Sequence, residues 1–417
     1  MSEYSPSESE FRNDGSSAEQ VDYLLSAKAV RERSRKILEL SLKGEGEFIV
    51  HLEKLDTVAD YVLEVIRDKY PDMKIPYHSR FNHFRVGGID RIAQLDRLIA
   101  NETAEEKARI KIDLCVTSVL LDAGAGNDWK YTENGHLYSR SEGLAVASFN
   151  MFMAGEFSSS QKQKFWADAS GLMQMTEAHI QKGFQVSVGN PLLGAKGRAE
   201  LLHRLGKAIE NSNEYFAGPE YHRPGFIVDY LLKKYPNKKI EAEDMLKVVL
   251  RGLGEIWPGR IIMNDINLGD TWRHPALAEG WEAFVPFHKL SQWLTYSLLE
   301  PLEGMGFKFL NLNKLTGLAE YRNGGLIIDS GLVELRQNVG SRALYPDSKI
   351  IIEWRALTVA LLDEVAKVIR RKLKLSEDEF PLVKVLEGGT WWAGRKLAQE
   401  KRGGKPPFEI MSDGTVF

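Results

Sequence analysis

From Val21 onward, Leu, Ile and Val recur at spacings of three and four between Lys, Arg, Asp and Glu, which is the repeat of a helix face turned toward a core. Across residues 57–68 the stripe Val58, Tyr61, Val62, Val65 and Ile66 predicts an amphipathic helix that stops at Tyr70-Pro71. The same periodicity predicts core helices over 289–302 and 352–373. A further helix over 104–121 is apolar all round at its end, with Gly124 as its C-cap. Strand-like alternation is scarce. Three short apolar runs bounded by Gly, Asn, Asp or Pro, at 307–310, 326–328 and 349–352, read either as strands of a small sheet or as extended linkers. The expected fold is therefore mainly α, a multi-helix globular protein with at most a small minor sheet.

Organisation follows from where that pattern breaks. Residues 1–20, acidic and Ser-rich without an apolar stretch, read as a disordered tail and as neither a secretory signal nor a mitochondrial presequence. Residues 21–417 read as one helical unit with no internal repeat. Tyr215, Gly218, Pro219, Tyr221 and Pro224 interrupt the helical pattern in 213–224, which makes that stretch the expected loop between two lobes. After Gly403-Gly404-Lys405-Pro406-Pro407, the terminal FEIMSDGTVF is apolar enough to dock on the body.

Composition narrows the chemistry. The 417 residues carry 55 basic and 58 acidic side chains, a net charge of -3, with 43% hydrophobic residues. Near-neutral charge speaks against nucleic acid or an anionic membrane surface as the main partner. A lone cysteine, Cys115, rules out an internal disulfide framework and a four-thiolate zinc site, and suits a reducing compartment such as the cytosol. The longest apolar runs fall well short of the roughly 20 residues that cross a bilayer. The nine histidines are scattered without the spacing of a metal-binding helix face, so no metal is expected. Neither a P-loop nor Gly-x-Ser-x-Gly occurs.

One short motif is tempting: Asp122-Ala123-Gly124-Ala125-Gly126 after an apolar run resembles the turn with which many methyltransferases hold S-adenosylmethionine. The mechanism needs a strand before the glycines, a helix directly after them and an acidic residue at the end of a second strand. Here a polar loop, Trp129 to Gly135, follows instead, and the βαβ frame is missing.

Carboxylates beside arginines and aromatics at helix ends carry more information. Asp122 precedes Trp129; Glu320-Tyr321-Arg322 opens a Gly-rich turn before 326–328 and Asp329; Asp270-Thr271-Trp272-Arg273 lies in a loop; Glu353-Trp354-Arg355 begins a core helix. A carboxylate beside an arginine stays ionised and one in an apolar pocket is pushed toward protonation, so such a set can supply both an anion and an acid. A buried structural ion pair is the commoner fate of any one of them. Trp391-Trp392 most simply fill core volume.

LAEYRNGGLIIDSG (318–331), with DLCVTSVLLDAGAGNDWKY, RSEGLAVASFNMFMAG, GGTWWAGRKLAQEKRGG and the terminal SDGTVF in the same order, resembles the uracil-catabolism protein four family of fungi and bacteria over nearly the whole chain. The resemblance implies a place in the ring-opening route of uracil degradation, which passes through ribosylurea and needs a later step that frees urea from ribose. A more distant likeness is to queuosine-salvage nucleotide N-glycosylases, whose helical fold is akin to DNA glycosylases. Their acidic-Tyr-Arg turn and following glycine match Glu320, Tyr321, Arg322 and Gly331; their Glu-x-Arg helix matches Glu353 and Arg355; and Asp122, Trp129 and Gly143 match loosely. This chain departs from them in Glu320, where they have Asp, and in Asn323-Gly324-Gly325, where they have a Pro-containing turn.

The function these likenesses imply is an N-glycosidase that cleaves ribosylurea, or its 5-phosphate, into urea and ribose or ribose phosphate. The competing class is a non-catalytic carrier of a ring-opened intermediate. Breaking such a bond develops an oxocarbenium-like sugar, so one carboxylate must stabilise C1′ and activate water while a proton reaches the leaving side. Glu320 or Asp329 is the expected sugar-side anion and Asp122 the next candidate. Trp129 would wall a planar urea, with Tyr321, Trp272 and Glu353 as further substrate contacts. Arg322 and Arg355 would orient the carboxylates or grip a phosphate. The chemistry requires no cofactor, and the expected partners are a small nucleotide-derived substrate and other enzymes of the pathway.

Overall fold

The computed structural model describes residues 11–13, 17–122, 124–126, 128–160, 162–257, 260–337, 339–340 and 343–411. Helices dominate, and the strands are no longer than three residues and form only small sheets, as the periodicity predicts. The chain divides into two compact units. The first takes the described residues up to Tyr77, Trp257–Gln292 and those from Asn311 onward; the second takes His78–Ile256 and Trp293–Leu310. The stretch 213–224 lies inside the second unit, so the expected lobe boundary is misplaced: it holds a short helix, Asn213–Phe216, and a bend pinned by the Gly218 N–H on the Tyr221 carbonyl.

In the first unit the long helix Lys349–Leu373 is buried along most of its length, and helices Ala27–Leu42 and Leu55–Lys69 pack on it. The latter starts and ends almost where the stripe predicts, with Tyr70 as its C-cap. Residues 349–352 are therefore the first turn of a helix. Residues 326–328 likewise lie within the helix Tyr321–Asp329, so the run expected to be a strand or linker is neither. A short apolar run has no period of its own, and here its neighbours decide it. Of the three such runs, only the first is extended, as the strand Lys308–Leu310 of the second unit, paired in parallel with Lys239–Glu241.

Order begins earlier than expected. Phe11–Asn13 pairs in parallel with Ile261–Met263, and Ser17 caps the helix Ala18–Leu24 through a capping box with Gln20. The rest of that tail, 1–10 and 14–16, lies outside the described residues. The C-terminal segment does dock. Leu344 bridges to Ile410, and the Phe408 ring meets Trp354 edge-on at 5.2 Å; 412–417 lie outside the described residues.

The second unit centres on the helix Ala104–Leu120, whose last two turns are buried on every side. Its C-cap is Leu121, not Gly124, and Ala123 and Asn127 of the glycine motif lie outside the described residues. Among the described residues no helix is long and apolar enough to cross a membrane.

Candidate active site

The first unit holds three of the motifs that sequence reasoning singled out, those of Asp270, Glu320 and Glu353, and joins Asp270 to Arg355. Asp270 precedes the strand Thr271–Arg273 and is held on both oxygens. Arg355 donates through Nη1 to Oδ1 at 2.8 Å and through Nη2 to Oδ2 at 2.7 Å; Trp272 Nε1 donates at 2.7 Å and the Lys289 backbone N–H at 3.1 Å. Burial alone would raise the Asp270 pKa, but the Arg355 charge and these donors outweigh it and hold the carboxyl far below the usual range. Asp270 is thus an anion at any physiological pH. Trp272 and Arg355 act through it: Arg355, buried and lying 4.1 Å from the Phe287 ring centroid, spends its fork on this aspartate and not on a phosphate.

Glu320 is different. It is the N-cap of the helix Tyr321–Asp329, accepting the Asn323 N–H on Oε1 at 2.5 Å and the Arg322 N–H on Oε2 at 2.7 Å, and it remains partly accessible. A helix start suits an anion. Even so, burial pushes the Glu320 pKa up, against those two N–H groups and the positive charges of Lys289 and Arg322. Lys289 links the two carboxylates: its N–H binds Asp270, and its ammonium acts on Glu320. The segment expected as a Gly-rich turn is helical, and its glycine is required by packing: a Cβ on Gly324 would come within 2.5 Å of the Trp354 ring, and Trp354 Nε1 donates to the Gly324 carbonyl at 3.0 Å.

The remaining expected residues have other surroundings. Tyr321 is half-buried under the Arg322 guanidinium, 4.6 Å from its ring centroid, and Arg322 Nη1 donates to the Gly404 carbonyl at 3.3 Å. Asp329 closes the same helix that Glu320 opens, about 13 Å away along the axis at 1.5 Å per residue, so the two cannot serve one reacting atom. It pairs with Arg402, and Lys401 binds its carbonyl. Glu353 is a buried clamp, accepting from Ser41 at 2.9 Å and from the Glu47 and Phe48 N–H groups at 2.8 and 3.0 Å. Those bonds tie the strand Phe48–Val50 to the long helix, and burial, outweighing them, raises the Glu353 pKa.

Asp122 and Trp129 belong to the second unit. Asp122 lies 3.2 Å from Arg80, a fully buried guanidinium that also donates to Ser118 Oγ at 2.7 Å and the Ser141 carbonyl at 3.2 Å. Trp129 is 0% exposed, and its Nε1 donates to the Phe184 carbonyl at 2.9 Å, so its ring is core and cannot wall a ligand as expected. Sequence reasoning noted Asp270 but gave it no role, and it passed over Lys289 and Arg80. Asp270 stood two residues before the chosen Trp272, but nothing local shows that Arg355 completes it.

The protein is mainly helical, with one carboxylate held as an anion and another pushed toward protonation, an arrangement that can supply both an anion and a proton-transfer group. Residues 23–417 match the family described as "Protein of unknown function (DUF1688)", and the chain belongs to it. It is 39% identical to Uracil catabolism protein 4 of Lachancea kluyveri, over 95% of this chain and 99% of that protein. Protein urg3 of Schizosaccharomyces pombe is 38% identical, over 96% of this chain and 100% of its own length. The resemblance read from the motifs thus extends to named full-length relatives.

Proposed function

We propose that the protein acts in uracil breakdown, as the name of its Lachancea relative indicates, and that its reaction is hydrolysis of the ribose–urea N-glycosidic bond of ribosylurea or its 5-phosphate. The observation that carries the reading is the opposed pair in the first unit: Asp270 held ionised, and Glu320 made more basic by burial yet still partly accessible. Environments that drive two carboxyls apart are how one site holds a fixed anion and a proton-transfer group at the same pH. Glu320 takes a proton from water as the water oxygen bonds to C1′ and the C1′–N bond breaks. The bonding pair goes to the urea nitrogen, and the proton that Glu320 took is returned to that nitrogen through solvent, which completes urea and restores the carboxylate. The two backbone N–H groups on Glu320 keep its carboxylate in place throughout. Asp270 does not touch the reacting atoms in this scheme; it orients Arg355 and the start of the helix Lys289–Glu303.

The test is incubation of the purified protein with synthetic ribosylurea and its 5-phosphate, with urea and sugar followed by mass spectrometry. Urea release that is lost in Glu320→Gln supports the reading, and preference between the two substrates settles the phosphate. Binding without release would make the protein a carrier of a ring-opened intermediate.

A further inference from the structure

With Trp129 sealed in the other unit's core, the Glu320 site needs another flat apolar surface, and the helix Trp391–Arg402 supplies one. It runs parallel to Tyr321–Asp329. Near one end the Gly394 backbone lies so close to the Arg322 carbonyl that a Cβ on Gly394 would collide with it; at the other, Lys401 and Arg402 both bind Asp329. The offset between the paired residues is nearly constant, so Trp391 and Trp392 lie level with Glu320. Their sides differ. Trp391 is three residues before Gly394 and shares its face, turned toward the start of Tyr321–Asp329. Trp392 points toward the helix Leu55–Lys69, with the Lys69 ammonium 4.6 Å from its ring centroid.

Neither ring is core: both are half-buried, meeting edge to face at 4.9 Å, with the Arg395 guanidinium 5.4 Å from the Trp391 ring centroid. Their base is firm. The π-helical turn Leu386–Thr390 seats Gly388 on Ile75 and Gly389 on Val62 and Ile66, where a Cβ would come within 2.8 and 2.5 Å of those side chains. Such turns recur at functional sites.

We propose that Trp391 is a substrate-contacting wall of the Glu320 site, stacking on the planar ureido group. The proposal rests on the glycosidase reading for the identity of that group. An indole face held by its neighbours suits a flat, neutral amide system, which loses little hydration on its faces and gains contact area there. A phosphate has no such face, and a puckered furanose offers only a small C–H patch, less contact area than a planar ureido group.

The experiment uses the full chain carrying Glu320→Gln, so that ligand is not consumed, and titrates ribosylurea 5-phosphate and ribose 5-phosphate by calorimetry. Adding Trp391→Ala should weaken the ureido ligand about tenfold or more, on the scale of alanine substitutions at stacking aromatics, and leave ribose 5-phosphate unchanged. Trp391→Phe should restore most of the loss, and Trp392→Phe should change neither ligand. Equal loss of both ligands, no loss, or no binding of either overturns the wall. The two readings fail separately. Ureido binding that depends on Trp391, without urea release by the wild type, sinks the glycosidase and leaves the wall; urea release with unchanged kcat/KM in Trp391→Ala does the reverse.

Discussion

Each unit holds an aspartate gripped by a buried arginine, and the two pairs are built differently: Asp113 is sealed, whereas the Asp270 side chain is 16% exposed. In the second unit Asp113 accepts from Arg223 Nε at 2.8 Å and from the Gly225 and Ala167 N–H groups at 2.7 and 3.2 Å, while Arg223 also reaches Glu106 at 2.8 Å and lies 4.0 Å from the Trp166 ring centroid. Both side chains are 0% exposed. That network is sealed, and what it does is tie the helix Ala104–Leu120 to the segments around 167 and 225. In the first unit the Asp270–Arg355 pair is linked through Lys289 to a second carboxylate, Glu320, and both carboxylates stay partly accessible. The lesson is that a count of buried ion pairs does not mark a site. Access and inequality between neighbouring carboxyls do.

Glu320→Gln should lower urea release by about 10²- to 10⁴-fold, the scale of a positioned acid–base group, while leaving one cap acceptor and changing the melting temperature little. Arg223→Ala should do the opposite, costing about 3–5 kcal/mol in denaturant unfolding because Asp113 would be left buried without its main partner. If Arg223→Ala folded normally, the sealed network would not be structural. Gly394→Ala should cost about 1–3 kcal/mol and reduce activity with it, since the added methyl pushes against the Arg322 backbone. Trp129→Phe should cost about 1 kcal/mol for a lost buried hydrogen bond and leave KM unchanged; a raised KM would return that ring to the site.

The smallest effect is in pH. The Glu320 pKa is raised on folding, so its contribution to stability is full below the unfolded value and is lost as pH rises through the folded one. Asp270, with its pKa depressed, contributes above the unfolded value and loses that contribution as pH falls. Melting curves of Glu320→Gln and Asp270→Asn against wild type should therefore deviate with opposite slopes. The acid limb of kcat should also lie above the ordinary glutamate value of 4.5, because ionised Glu320 is the base. An acid limb at or below that value would remove Glu320 from the role.

Part of the candidate site was legible. Glu320, Tyr321 and Arg322 stand together in the chain, and a carboxylate before a helix is a local signal. Trp272 and Arg355 were chosen for the right company but the wrong task, because their shared partner Asp270 is 85 residues from Arg355. Asp329 looked equivalent to Glu320 while the intervening residues were taken for a turn; as a helix they hold the two carboxylates apart. Trp129, expected as a wall, is sealed in the core, and Trp391, expected to fill core volume, is half-buried, since a tryptophan carries no mark of its own burial.

What the chain determined by itself is its helical character. The spacing of Val58, Val62, Val65 and Ile66, or of Leu357, Leu361, Val365 and Val368, encodes a buried face within a few turns, and prolines and caps end it locally. What only the tertiary structure decided is which polar groups work. Whether a carboxylate is an anion, a clamp or a base depends on burial and on donors brought from distant segments: Arg355 for Asp270, Ser41 and Glu47 for Glu353, Lys289 for Glu320. Hydration and charge act through space, and sequence order measures neither.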